Sequence, residues 1–314
     1  MTASPVSRRR LLQSGAALGA ASLPGPISAA ASAAGPAPVT RFLVVGDWGR
    51  RGHHHQRAVA AAMAASAAAD DPAFIVSAGD NFYEAGVTGV DDPQWRESFE
   101  DVYDQPSLQR PWHVILGNHD YRGDVEAQIA YSRRSPRWQL PARHYRRRVA
   151  TAGGALDMIY LDTSPFIRKY LGTATHIEGQ DPRAQRAWLD RALGASTARW
   201  KIVIGHHPIY TTLGGLYHDQ PDLIAAIDPV LKRHGVRLYI NGHDHTLQCV
   251  TLGAVTYATT GAGSETYWPF FGSRKGFVSG RHGFLACALH PDGTMRLDFI
   301  DASSRVLHRQ TVSL

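Results

Sequence analysis

The chain has 314 residues, 44% of them hydrophobic, enough to bury a substantial core in one large α/β domain or two small ones. Its formal net charge is +6, but Arg8, Arg9 and Arg10 precede every acidic residue, so the rest carries only about +3 and no nucleic-acid partner is expected. Two cysteines, Cys249 and Cys287, exclude a disulfide framework or a cysteine-rich zinc site, and can either pair in an oxidising compartment or stay as buried free thiols.

Residues 1–38 read as a segment of their own. Ser7, the three arginines, Leu11 and Leu12 lead into an Ala-rich apolar stretch to Ala21, followed by small residues and prolines to Pro38. That order is the layout of a twin-arginine export signal. The expectation is a protein passed, already folded, to the twin-arginine export machinery of a bacterium and left periplasmic or secreted, with residues 39–314 as one folded domain. After this segment no apolar run reaches the eighteen or so residues of a membrane helix, so no membrane partner is expected once it is processed.

From residue 42 one local pattern recurs five times: a short apolar run rich in β-branched residues, a glycine, then polar residues able to bind metal. The runs are FLVVGDWG (42–49), FIVSAGDNFY (74–83), WHVILGNHD (112–120), KIVIGHHP (201–208) and LYINGHDH (238–245). Each reads as a buried strand that ends at its ligands. Helical patterns fall between them, over Arg57 to Ala69, Pro93 to Val102, Val125 to Ser132, Arg183 to Leu193 and Asp222 to His234. A hairpin is expected over 144–163, and short alternating strands follow His245: Ala254 to Thr260, Gly283 to Leu289, Thr294 to Asp301 and Arg305 to Val312. Strand and helix in alternation gather the loops at the C-terminal strand ends. The expected fold is a four-layer α/β/β/α sandwich of two packed mixed sheets in a single domain.

The side chains brought to those loops are Asp47, Asp80, Tyr83, Asn118, His119, His206, His243 and His245. Carboxylate, imidazole, phenolate and amide oxygen make a mixed donor set suited to iron, zinc or manganese and unsuited to calcium alone. Seven of them fill two metal sites if one carboxylate bridges, which leaves His119 over. The order GD, GD, GNH, a strand-borne GH and GHxH resembles the calcineurin-like metallophosphoesterases. Tyr83, three residues after Asp80, narrows the resemblance to purple acid phosphatases. SFEDVYDQPSL (98–108), AQIAYS (127–132), RWQLPARHY (137–145), YINGHDHTLQ (239–248) and TGAG (260–263) narrow it to their small, tartrate-resistant type.

The resemblance implies an acid phosphatase that hydrolyses phosphate monoesters, its small phosphate-ester substrate attacked by a metal-bound hydroxide at a binuclear centre. It places Asp47, Tyr83 and His245 on Fe(III), Asp80 between the metals, and Asn118, His206 and His243 on a divalent ion, Fe(II) or Zn(II), with Mn(II) as a further choice. His119 then stands beside the substrate phosphate, and His218, in the loop after GHHPIY, is similar in place to a second outer histidine. Alternatives are a phosphodiesterase or another metallophosphoesterase with a different metal pair, added oxygen-radical chemistry of a di-iron centre, or a phosphate binder without catalysis. The histidines His53 to His55 are expected in a solvated loop, and Arg143, Arg146, Arg147 and Arg148 on a solvated face. The segment 267–277 is either a substrate lid or core packing.

Overall fold

The computed structural model describes residues 38–214, 218–268 and 274–314. The expected export segment up to Ala37 lies outside the described residues, as does the middle of the 267–277 segment.

Strand β1 (Thr40–Val45) shows how the layers arise. Phe42 and Val44 point into one core while Leu43 and Val45 point into another, because side chains alternate across a strand, and this strand is apolar at both parities. It pairs in parallel with β2 (Phe74–Ser77), which is followed outward by β3 (Trp112–Val114) and β4 (Trp138–Gln139). On its other side lie the antiparallel β12 (Gly283–Leu289), β13 (Met295–Asp301) and β14 (Val306–Val312).

The second sheet runs β11 (Phe277–Ser279), β9 (Leu247–Leu252), β10 (Val255–Thr260), β8 (Leu238–Asn241), β7 (Trp200–Ile204), β6 (Gly154–Tyr160) and β5 (Tyr145–Thr151). Within it β6, β7, β8 and β10 are parallel and the edges antiparallel. Between the sheets Phe42, Val44, Phe74 and Val76 meet Met158, Ile202, Ile204 and Ile240. Helices α1 (Gln56–Asp70) and α2 (Val125–Tyr131) cover the first sheet. The second is covered by α3 (Pro182–Gly194), α4 (Pro221–Ala226) and α5 (Asp228–Arg233). The expected α/β/β/α sandwich is the observed one.

Two expected helices differ. The stretch 222–234 is two helices because Pro229 has no N–H and its ring collides with the carbonyl four residues back, so the chain breaks at Ile227. The stretch 93–102 closes only a single wide turn over Trp95–Glu100, whose Trp95 and Phe99 sit in an aromatic cluster with Trp48, Trp112 and Trp138. Cys249 and Cys287 are free thiols buried in the core between the sheets. Among the described residues no helix is long and apolar enough to cross a membrane.

Candidate metal centre

The parallel strands β1, β2 and β3 of one sheet and β7 and β8 of the other end at the same edge, and the five loops that follow interlock through their backbones. Asp47 N–H donates to Gly79 O at 3.0 Å, Gly242 N–H to His206 O at 3.0 Å, and Tyr83 N–H to Gly49 O at 2.9 Å. Asp47, Asp80 and His243 are held at positive φ of 60°, 50° and 68°, a region that non-glycine residues occupy at a cost which the surrounding bonds must offset. Glycine is required beside them. A Cβ on Gly117 would collide with the Asp80 carboxylate and one on Gly242 with that of Asp47.

Asp80, 2% exposed, lies at the middle. Its Oδ2 accepts from the Tyr83 hydroxyl at 3.0 Å and lies 3.4 Å from His206 Nε2, while Oδ1 accepts the His119 backbone N–H at 2.8 Å. On one flank the Tyr83 hydroxyl is also 3.0 Å from Asp47 Oδ1 and 3.0 Å from His245 Nε2, which itself lies 3.5 Å from Asp47 Oδ1. On the other, His206 Nε2 is 3.3 Å from Asn118 Oδ1 and 3.3 Å from His243 Nδ1. All seven expected donors are therefore together, in two groups that meet at Asp80.

The donor chemistry fits metal ions. His206 Nδ1–H donates to Ala78 O at 2.9 Å, which turns the Nε2 lone pair toward the Asn118 oxygen and His243 nitrogen. Lone pairs facing one another across 3.3 Å are a poor arrangement for hydrogen bonding and a good one for a cation. Protons respond to the same field. Burial opposes charge on His206, yet the Asp80 carboxylate holds it up to about 9. Burial likewise opposes charge on Asp80, and His206 nonetheless keeps its carboxyl well below the usual range. Burial and then Asp47 and Asp80 push the Tyr83 phenol well up, so without a cation it is a hydrogen-bond donor.

His119 borders this group. Its Nε2 is 3.9 Å from Asp80 Oδ2, its ring lies 4.4 Å from that of Tyr83, and its Nδ1 is 2.7 Å from Glu84 O. His218 sits further out, its Nδ1 3.1 Å from Asp244 Oδ2, between the two histidines of the GHDH loop. His53 to His55 form an exposed turn before α1, with His55 stacked 3.9 Å from His282. Arg146 and Arg148 pair with Asp157 and Arg143 with Glu126, so none of them joins the centre.

Three residues that shape the site were not among the expected ligands. Buried Asp120 accepts from Gly117 N–H at 2.8 Å, from Asn81 N–H at 3.0 Å and from Gln128 Nε2 at 2.9 Å, tying the second and third loops together. His207 lies against His206 and His243, close enough to serve as a ligand. Both its ring nitrogens are engaged, however, Nδ1 with Thr163 Oγ1 and Nε2 with the Tyr170 hydroxyl, each at 2.9 Å, so it acts as a wall. Arg50 covers the Tyr83 ring. The doubled histidine in GHHP and the aspartate that closes GNHD are the sequence signals that pointed at two of them.

Residues 40–247 match the family model described as calcineurin-like phosphoesterase, and the chain belongs to that family. Within it the chain belongs with the purple acid phosphatases. It is 36% identical to purple acid phosphatase 7 of Arabidopsis thaliana over 287 residues, 87% of this chain and 85% of that one. It is also 36% identical to tartrate-resistant acid phosphatase type 5 of Homo sapiens over 250 residues, 73% of this chain and 74% of that one. Among solved structures, GAP50, the anchor in the inner membrane complex of Plasmodium, superposes with a TM-score of 0.76 at 26% identity, covering 88% of this chain and 89% of that one. Purple acid phosphatase PPD1 from yellow lupin seeds superposes at 0.66 and 13% identity over 88% of this chain and 54% of its own, which speaks to the fold alone.

Proposed function

We propose that this phosphoric ester hydrolase is an acid phosphatase acting on phosphate monoesters, with Asp47, Tyr83 and His245 holding Fe(III), Asn118, His206 and His243 holding Fe(II), Zn(II) or Mn(II), and Asp80 shared. The observation that carries the reading is the position of the Asp80 carboxylate, within 3.4 Å of a donor from each half. Two cations there would supply charge neutralisation at the phosphoryl oxygens and water activated as a nucleophile near neutral pH.

The protein's own part is orientation and proton transfer. The seven donors are preset on strand ends of two sheets, so little reorganisation accompanies binding. His119, with Nδ1–H fixed on the Glu84 carbonyl, presents Nε2 to the centre and can protonate the leaving alkoxide. His218 is the outer histidine of this reading, steadied by Asp244.

The test is elemental analysis with a panel of monoesters and diesters. We expect two metals per chain, one of them iron, a violet or pink colour, and faster turnover of monoesters. Tyr83→Phe should abolish the colour and weaken hydrolysis without removing it. A colourless protein holding two zinc or manganese ions rejects the ferric assignment, and preference for diesters rejects the monoesterase.

Export through the twin-arginine route and a periplasmic or secreted location belong to the same proposal, supported by the order of residues 7–38. Converting Arg8 and Arg9 to lysine should leave folded, unprocessed enzyme in the cytoplasm, and normal export of that variant would reject the signal.

A further inference from the structure

Arg50 follows the first metal loop by one residue and folds back over it. Its guanidinium carbon lies 3.9 Å from the centroid of the Tyr83 ring. Two carboxylates hold it there: Glu84 Oε1 is 2.6 Å from Nη1 and Glu265 Oε2 is 2.8 Å from Nη2. The side chain is only 9% exposed, and its buried Nε has no hydrogen-bond partner. A guanidinium with five donors has thus been drawn out of water with one of them unused. A surface ion pair does not need that. What the placement does achieve is a permanent positive charge against the face of one particular aromatic ring, in a poorly screened setting.

We propose that Arg50 is a positioning residue that sets how strongly the Tyr83 phenolate donates electrons to the ferric ion, with Glu84 and Glu265 setting how much of its charge the ring feels. The inference rests on Tyr83 being a ligand, as proposed above. A cation over a phenolate lowers the energy of its donor electrons. Charge transfer from ring to iron then needs more energy, so the band moves to shorter wavelength. The same charge disfavours the ferric state relative to the ferrous, so it raises the midpoint potential. Arg50 also reaches the proton donor, since the Glu84 held by its side chain offers its carbonyl to His119 Nδ1.

The experiment uses purified, iron-loaded, full-length protein and two variants whose charges change in opposite directions. Arg50→Gln removes the positive charge, so the visible band should move to longer wavelength and the ferric midpoint potential should fall. Glu265→Gln keeps an acceptor for Nη2 but removes a compensating negative charge, so the band should move to shorter wavelength and the potential should rise. Glu265 is about half exposed and its variant should fold even if Arg50→Gln does not. A clamp with a merely structural role would shift both variants the same way or neither. Opposite shifts support the inference. Shifts of the same sign, or none, in protein that does show the band overturn it alone, whereas a wild type without any visible band overturns the Tyr83 assignment and this inference with it.

Discussion

His119 illustrates how a single residue is prepared for one task. Two groups lie at its Nδ1, the Glu84 carbonyl at 2.7 Å and Arg122 Nη1 at 3.2 Å, and both cannot be served, since one accepts and the other donates. The shorter contact decides it. A carbonyl only accepts, so Nδ1 carries the hydrogen and Nε2 is the nitrogen that faces Asp80 and that exchanges protons in the proposed reaction. Because its backbone rather than its ring engages the Asp80 carboxylate, His119→Ala should retain both metals while turnover falls by about 10²–10⁴-fold. The loss should be largest on alkyl phosphates, whose alkoxide needs a proton, and smaller on aryl phosphates, which leave unaided. Comparing kcat for the two ester types with metal content checks this, and equal losses would mean that the ring only positions the phosphate.

At the scale of the element, the β5–β6 hairpin is fastened to the loop after α3 through Asp157, whose carboxylate is buried. It accepts from Arg148 Nε at 2.9 Å and from Ser196 Oγ at 2.5 Å, and pairs with Arg146. Burial raises its pKa, but Arg148, Ser196 and Arg146 outweigh that and hold it down at about 2. A depressed carboxyl contributes stability above its unfolded value near 4 and loses it as pH falls toward 2. Asp157→Asn should therefore cost about 2 kcal/mol at pH 6, after allowance for two partly exposed arginines, and almost nothing at pH 2. Urea unfolding at the two pH values measures it, and an unchanged gap would show that the ion pair is not the cause. The sequence read the four arginines as a solvated face, because a partner eleven residues away across a hairpin leaves no local mark. The same limit applied elsewhere. The five strand ends were readable since strand, glycine and donors are contiguous, whereas Asp120, His207 and Arg50 act on neighbours supplied by other strands. β4 and β11, of two and three residues, are too short to show a period, and Pro229 is the one local mark that 222–234 breaks into two helices.

Taken as a whole molecule, the centre lies on the seam of the sandwich, since Asp47, Asp80 and Asn118 follow strands of one sheet and His206 and His243 strands of the other. Cations held there join the two sheets as well as serving the reaction. Without them Asp47 and Asp80, 0% and 2% exposed, confront each other through the Tyr83 hydroxyl with only protons to moderate the field. Those protons are the ones expected on His206 and Tyr83, and they must leave when metal enters. The unfolded chain scatters these donors over nearly two hundred residues, from Asp47 to His245, and binds metal far more weakly. Removing the metals should therefore lower stability by mass action. At free metal about a hundredfold above Kd the linkage amounts to about 2.7 kcal/mol for each ion, which for a domain of this size is about 5 °C in Tm per ion. Chelation should produce that fall in a calorimetric scan, and the loss should reverse when the metal ions are restored. Because His206 takes up a proton in the metal-free protein and stays neutral in the loaded one, the gap between the two should widen as pH rises from 6 to 8. An apo protein that melts with the holoprotein, at every pH in that range, would mean that the fold holds the seven donors together with no help from the ions.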